Sequence, residues 1–369
     1  MRVALVHDYL IRFGGAEQVL LSLHRLFPEA PIFTLLYNKS KMGELFSKAE
    51  IHTSFLQKLP VFLRKRYKYF LPLLPVIPET FDLRDFDLVI SSSSAFAKGI
   101  ISRPKTIHIC YCHNPMRFIW DYHYSYLKEQ KFGFIKEFLA QLSSHYLRLW
   151  DRASSNRVDY FIANSQSTAG RISKYYGRQA EVIYPPVDIT DNVSSISILS
   201  SAVGPFFLIV SQLTPYKKID LAIEAFNKLE LPLVIIGEGS ERKRLERLAK
   251  ANIKFLGFQP VEAVRQYYQN CQALIFSGED DFGIAPVEAM SYGKPVLAFR
   301  RGGAIETVQE GVTGEFFDAP YPEILADGVR RLIENYKNYN PQIIRQRAAE
   351  FSRQEFEKKI MDFISLKLT

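Results

Sequence analysis

Residues 278 to 293 read Gly-Glu-Asp-Asp-Phe-Gly-Ile-Ala-Pro-Val-Glu-Ala-Met-Ser-Tyr-Gly. Three carboxylates and a glycine precede a segment with the marks of a short helix. Pro286 suits a first turn, where its missing N–H would have no partner. Gly293 suits the stop, where a left-handed residue ends many helices. That reading puts Glu288 inside the first turn. Amide hydrogens and the positive dipole end of a helix start hold anions, and carboxylates accept hydrogen bonds from hydroxyls. A ligand carrying both phosphate and hydroxyls, such as a nucleotide-sugar, would suit the run. Acids also favour helix starts without any ligand, so the remaining segments must decide.

Several other glycine- or lysine-bearing turns follow strand-like runs. After Val3–Val6 comes His7 to Glu17, with Gly14 and Gly15 opening a helix near Ala16. Glycines there let amides approach a phosphate, although the G-x-G-x-x-G of a dinucleotide site is absent. After Phe206–Val210, the segment from Ser211 to Lys218 brings Lys217 beside a helix start, placed to neutralise a departing diphosphate. Gly237-Glu238-Gly239 and Arg301-Gly302-Gly303 are two more strand-end loops, the second able to hug a ligand. His113 follows the strand Ile107–Cys112 and could bond a sugar hydroxyl.

These turns need a frame. Short apolar runs alternate with amphipathic segments such as Ala16–Phe27 and Leu221–Leu229, the pattern of buried parallel strands covered by helices. Two such sets flank residues 187–205, which hold five serines and end at Gly204-Pro205. The expected organisation is an α/β domain over 1–186, a linker over 187–205 and a second α/β domain over 206–351. Facing across a cleft, the two would present their strand carboxyl ends to a ligand. With 369 residues, two domains also match typical domain size.

A charge of +8 favours anionic partners without choosing one. The three cysteines cannot make a disulfide framework. In His108 to His113 strand alternation sends potential zinc ligands to opposite faces. The Glu279-Asp280-Asp281 acids could attract Mg²⁺, but one loop supplies them all. From Lys58 to Pro75, basic residues mix with aromatic and aliphatic ones and no acid intervenes. This is a candidate contact with an anionic membrane or a lipid-linked acceptor. No secretory leader follows Met1 and no apolar run is long enough to span a bilayer. The expected location is cytoplasmic, with peripheral contact at the inner membrane face through 58–75.

With GGAE at 14–17, CHNPMRFIWD at 112–121, NS at 164–165, YPPVD at 184–188, PYKKID at 215–220 and EDDFGIAPVEAM at 279–290, the chain resembles family 4 glycosyltransferases of the GT-B type, particularly bacterial mannosyl- and glucosyltransferases of surface-polysaccharide assembly. The resemblance implies two Rossmann-like, doubly wound parallel-sheet domains and a C-terminal helix, 352–369, packing back on the first. It implies a retaining hexosyltransferase using UDP-glucose or GDP-mannose and a saccharide or lipid-linked acceptor, without metal or other cofactor. Carried over by position, Glu288 would hold the donor ribose. Asp280 and the Phe282-Gly283-Ile284 backbone would hold the transferred sugar. Lys217, with Gly14 and Gly15, would hold the diphosphate, and His113 would sit at the reacting side of the sugar. Glu238, Phe258 and Gln259 would lie near base and ribose.

Two positions depart from the family. Asp280 stands where Glu is usual, and Gln212 where Arg is usual. Losing that cation would weaken diphosphate stabilisation by ~1–3 kcal/mol unless Lys218 or Arg301 compensates. These departures leave open an alternative, a catalytically impaired partner subunit that binds nucleotide or polysaccharide. The charge alone would admit nucleic acid, but no recognisable nucleic-acid module is present, and none is expected as a partner.

Overall fold

The short apolar strands pair as their composition demands: a strand buried on both faces needs helices above and below, and a crossover helix returns the chain parallel. In the computed structural model, which describes residues 1–64, 66–130, 133–189 and 204–368, every pairing within the two sheets is parallel. The chain divides into two compact units, Met1–Tyr184 with Glu357–Thr369, and Pro185–Phe356.

The first unit holds β1 (Val3–Leu10), β2 (Ile32–Tyr37), β3 (Ile51–Thr53), β4 (Leu88–Ser93), β5 (Ile107–Cys112), β6 (Tyr160–Ala163) and β7 (Ala180–Val182). Their order is β3-β2-β1-β4-β5-β6-β7. One core cluster joins Val6, Leu35 and Val89 of the sheet to Leu74, Ile77, Met116 and Leu147. A buried polar knot ties the helices to it. Lys98 pairs with Asp151, which also accepts hydrogen bonds from Trp120 Nε1 at 2.7 Å and the Tyr176 hydroxyl at 2.9 Å. Burying that carboxylate is tolerable because both its oxygens are satisfied.

The second unit holds β8 (Phe207–Val210), β9 (Leu233–Ile236), β10 (Ile253–Gly257), β11 (Ala273–Phe276), β12 (Val296–Phe299) and β13 (Gly314–Phe317), ordered β10-β9-β8-β11-β12-β13. The helix Ile219–Leu229 buries Leu221, Ala222, Ala225 and Phe226, the face its 3.6-residue period predicts. Of the expected linker, 190–203 lies outside the described residues. Its first positions belong to the second unit: Val187 N donates to Phe351 O at 3.0 Å, and Arg353 pairs with Asp188 at 2.7 Å. The C-terminal helix is Arg353–Leu368. From Glu357 onward it belongs to the first unit, where Phe363 meets Tyr160 edge-to-face at 6.3 Å.

Candidate functional site

In the second unit the strand order reverses at β8, with β9 on one side and β11 on the other. Crevices open at the carboxyl edge of such switch points, and the loops leaving β8 and β11 rise from it as neighbours. After β8 the chain makes one tight turn at Pro215–Lys217, and Lys218, at φ 51°, turns it into the helix Ile219–Leu229. After β11, Ser277 Oγ donates to the Lys217 carbonyl at 3.0 Å. A Cβ at Gly278 would stand 2.7 Å from Lys217 Cα, so the two loops approach this closely only with glycine there.

That approach brings the Lys217 ammonium onto the Asp280 carboxylate. The two side chains are 15% and 17% exposed. Burial alone would lower the lysine pKa. The neighbouring Asp280, with Tyr216 and Asp281, outweighs it and holds the ammonium above its ordinary value. A charged ammonium is thus available at the switch point.

The Arg301-Gly302-Gly303 loop packs against the acidic loop. Gly303 N donates to Asp280 O at 2.9 Å. A Cβ on Gly302 (φ 61°) would lie 2.1 Å from that same oxygen, and one on Gly303 would lie 2.3 Å from Phe282 Cα. The loop fixes the backbone of 280–282 from behind.

The helix after the acids runs Ile284–Ser291, with Gly283 at φ 83° as its cap. The left-handed glycine starts it two residues before Pro286. Glu288 is therefore in the second turn, not the first, which corrects the sequence expectation. The free amides at the start are those of Ile284 and Ala285, since Pro286 has none. Gly293 (φ 72°) stops the chain as expected.

Glu288 Oε2 accepts a hydrogen bond from the Tyr268 hydroxyl at 2.8 Å. Burial raises the Glu288 pKa. Tyr268 opposes that, Asp188 adds to it and Arg265 opposes it, leaving the value above the ordinary one. Tyr268 is buried on the helix Val261–Asn270 and stacks on Tyr292 at 5.9 Å. Nothing in its local sequence distinguishes it from an ordinary core tyrosine, so sequence reasoning missed it.

The remaining predicted donor residues of the second unit share this carboxyl edge. A Cβ on Gly237 (φ 139°) would lie 1.8 Å from Ser211 O, and one on Gly239 2.1 Å from Leu213 O. The loop carrying Glu238 is therefore seated on the loop carrying Gln212, which is exposed. Glu238 pairs with Arg242. At the end of β10, Phe258 is 79% exposed and Gln259 Nε2 donates to Leu256 O at 2.7 Å.

In the first unit the switch point lies between β1 and β4. Asp8 accepts four backbone N–H bonds from Ser94, Ala95, Phe96 and Ala97 at 2.6–2.9 Å, which fixes the loop after β4. Gly14 caps the helix Gly15–Leu26. That helix carries Glu17, whose Oε1 lies 3.5 Å from His7 Nε2. His7 Nδ1 and Ser92 Oγ share a hydrogen bond of 3.1 Å, and Ser92 Oγ and His113 Nε2 one of 2.8 Å. This chain from Glu17 to His113 was not foreseen, because its members lie on a helix, two strands and the turn after a third. Burial, then the charge of His7, pushes the His113 pKa down to about 3, so the imidazole is neutral at neutral pH. A separate cavity of about 380 Å³, lined by Ile119, Trp120, His123, Tyr124, Gln141, Arg148 and Tyr175, contains none of the predicted site residues. Among the described residues no group of three or more His, Cys, Asp or Glu is arranged to hold a metal ion, and Cys110, Cys112 and Cys271 are buried free thiols.

The sequence matches the family descriptions Glycosyltransferase Family 4 over residues 13–191 and Glycosyl transferases group 1 over 198–351. The chain belongs to the family 4 glycosyltransferases and has their GT-B fold. It is 25% identical to the alpha-1,3/1,6-mannosyltransferase ALG2 of Candida glabrata over 98% of this chain and 91% of that protein. It is 26% identical to the uncharacterized glycosyltransferase MJ1178 of Methanocaldococcus jannaschii, over 51% of this chain and 53% of that one. The Anabaena Alr3699/HepE structure in complex with UDP-glucose superposes with a TM-score of 0.72 at 21% identity, covering 99% of this chain and 100% of that one.

Proposed function

We propose that the chain transfers a hexose, with retention of anomeric configuration, from a nucleotide-diphospho-sugar to a saccharide or lipid-linked acceptor in glycan assembly. The observation that carries this reading is the charged Lys217 paired with Asp280 at the switch point, on the loop that leads into the helix start at Gly283-Ile284 and the half-buried Glu288. A diphosphate developing charge as it leaves is stabilised by an ammonium and free amides fixed in advance. Glu288 accepts hydrogen bonds from the donor ribose, while Asp280 and the 282–284 backbone hold the sugar. His113, Gly14 and Gly15 keep the roles that the family resemblance implies. The acceptor hydroxyl attacks the anomeric carbon on the face the diphosphate leaves, giving its proton to a departing phosphate oxygen. UDP-glucose and GDP-mannose are the two donors proposed, UDP-glucose supported by the ligand of the HepE structure and the mannose of the second by the named mannosyltransferase activity of ALG2. The reaction needs no metal, and a chelator leaves its rate unchanged.

The test is a thermal-shift panel of nucleotides and nucleotide-sugars, because a ligand of the folded state raises its melting temperature. Transfer from the stabilising donor follows, with anomeric assignment of the product by NMR. Stabilisation and an α-linked product from an α-donor support the proposal. Inversion overturns the retaining mechanism. Binding without transfer or donor hydrolysis returns the partner-subunit alternative.

A further inference from the structure

The helix Phe134–Ser154 buries one side and exposes an apolar stripe on the other. Its inner face, with Ser144, Leu147, Asp151 and Ser154, is buried. On the opposite side Phe134, Ile135, Phe138, Leu139, Leu142, Tyr146 and Leu149 are 44–88% exposed. Their spacing of three, four and seven puts all seven on one continuous stripe. Nothing in the core asks for them, and contiguous apolar patches of this extent on a soluble surface mark an interaction site.

The stripe continues onto a second segment. The turn Tyr67–Leu73 packs against this helix, and Leu71, Leu74, Leu147 and Trp150 share one core cluster. Around that turn Val61, Phe62, Leu73 and Val76 are 49–63% exposed. The exposed charges on both segments are predominantly basic. Lys58, Arg66, Lys136 and Arg152 are exposed, and Arg64 and Arg148 half-exposed. No acid occurs from Ile51 to Pro78. In the helix the exposed acid is Glu137, since Asp151 is buried against Lys98.

We propose that this face docks on an anionic lipid bilayer, with the helix lying in the interface and its aromatic and aliphatic stripe among the acyl chains. The sequence-based expectation of membrane contact at 58–75 thereby becomes the flank of a larger surface centred on 134–149. Apolar insertion combined with cations attracted to anionic headgroups is how interfacial helices bind. The charges decide between a bilayer and a second copy of this chain. Two copies meeting through this face would juxtapose basic flanks with Glu137 as the one exposed acid among the described residues of both segments to answer them, whereas anionic headgroups complement both flanks. Among the described residues no helix is long and apolar enough to cross a membrane, and the surface needs none. This inference stands apart from the donor chemistry.

The full chain is floated with phosphatidylcholine vesicles containing or lacking phosphatidylglycerol. Binding to the anionic vesicles is expected, falling at least about tenfold in Phe138→Asp/Leu142→Asp, which removes two stripe residues from the acyl region. Lys58→Glu/Arg66→Glu loses the preference for phosphatidylglycerol. Both variants keep the wild-type circular dichroism and melting temperature, because the altered side chains are exposed. Wild-type protein that stays unbound, or a Phe138→Asp/Leu142→Asp variant that binds as well as wild type, overturns the proposal. So does a lipid-free dimer, seen by sedimentation velocity, that this variant dissociates, since a second copy would then cover the face.

Discussion

The Lys217 ammonium and the Asp280 carboxylate form an ion pair across 63 residues, at the point where the second sheet reverses its strand order. The pair holds the cation charged and aimed. Lys217→Ala is expected to lower transfer by about 10²–10³-fold, the scale of one lost charge-stabilising group. It also strands Asp280 unpaired and mostly buried, at a cost of about 1–3 kcal/mol. Lys217→Ala/Asp280→Ala should recover that stability in urea unfolding but not the transfer. Recovered activity would refute the role given to the ammonium.

Tyr268 positions Glu288 through one hydrogen bond. Tyr268→Phe removes the donor and little volume, so the fold should persist while the KM for the sugar donor rises about 5–10-fold, matching ~1 kcal/mol. The pH dependence has a definite sign. A hydrogen bond donated to a carboxylate favours its ionised form, so its loss raises the Glu288 pKa further. The acid limb of kcat/KM should move to higher pH in the variant. An unmoved limb would mean that Glu288 ionisation does not govern donor binding.

Gly278 lets the β8 and β11 loops touch. Gly278→Ala places a Cβ 2.7 Å from Lys217 Cα, a backbone contact that no rotamer relieves. The loops must separate, carrying Lys217 away from Asp280. Transfer should fall by ~10²-fold, with a smaller thermal shift from the donor.

His113 makes the fold sensitive to acid. Its folded pKa, about 3, lies below the ordinary 6.5. Stability is therefore full above pH 6.5 and is lost as pH falls, because the unfolded chain takes up a proton that the folded one refuses. His108 acts in the same direction, with burial lowering it to about 4. Each removes on the order of 1–2 kcal/mol by pH 5. His113→Gln cannot take up that proton, so its melting temperature should drop less between pH 7 and pH 5 than the wild type's. Equal drops would show that His113 protonates freely in the folded protein.

Much of the frame was legible in the chain. Ile107–Cys112, Tyr160–Ala163, Leu233–Ile236 and Ala273–Phe276 are strands at the bounds their apolar runs suggest. The strands Ile32–Tyr37, Ile51–Thr53 and Gly314–Phe317 were not read. They are sheet-edge or near-edge members whose short runs lack a distinguishing period. Glu288 was assigned to a first turn because Pro286 marks many helix starts. Gly283, in a conformation that only its contacts reveal, starts the helix earlier.

What the amino-acid sequence determined by itself is local: where apolar runs make strands, where glycine and lysine follow them, and hence that the chemistry gathers at strand carboxyl ends. Tertiary structure decided which of those groups meet. The Lys217–Asp280 pair, the Tyr268–Glu288 hydrogen bond and the line from Glu17 through His7 and Ser92 to His113 join positions far apart in the chain. So does the choice of which face of Phe134–Ser154 is buried, since the more apolar one is exposed. Hydrophobic period reports a residue's neighbours along its own element, whereas these contacts depend on strand order and loop approach, which only the packed sheet supplies.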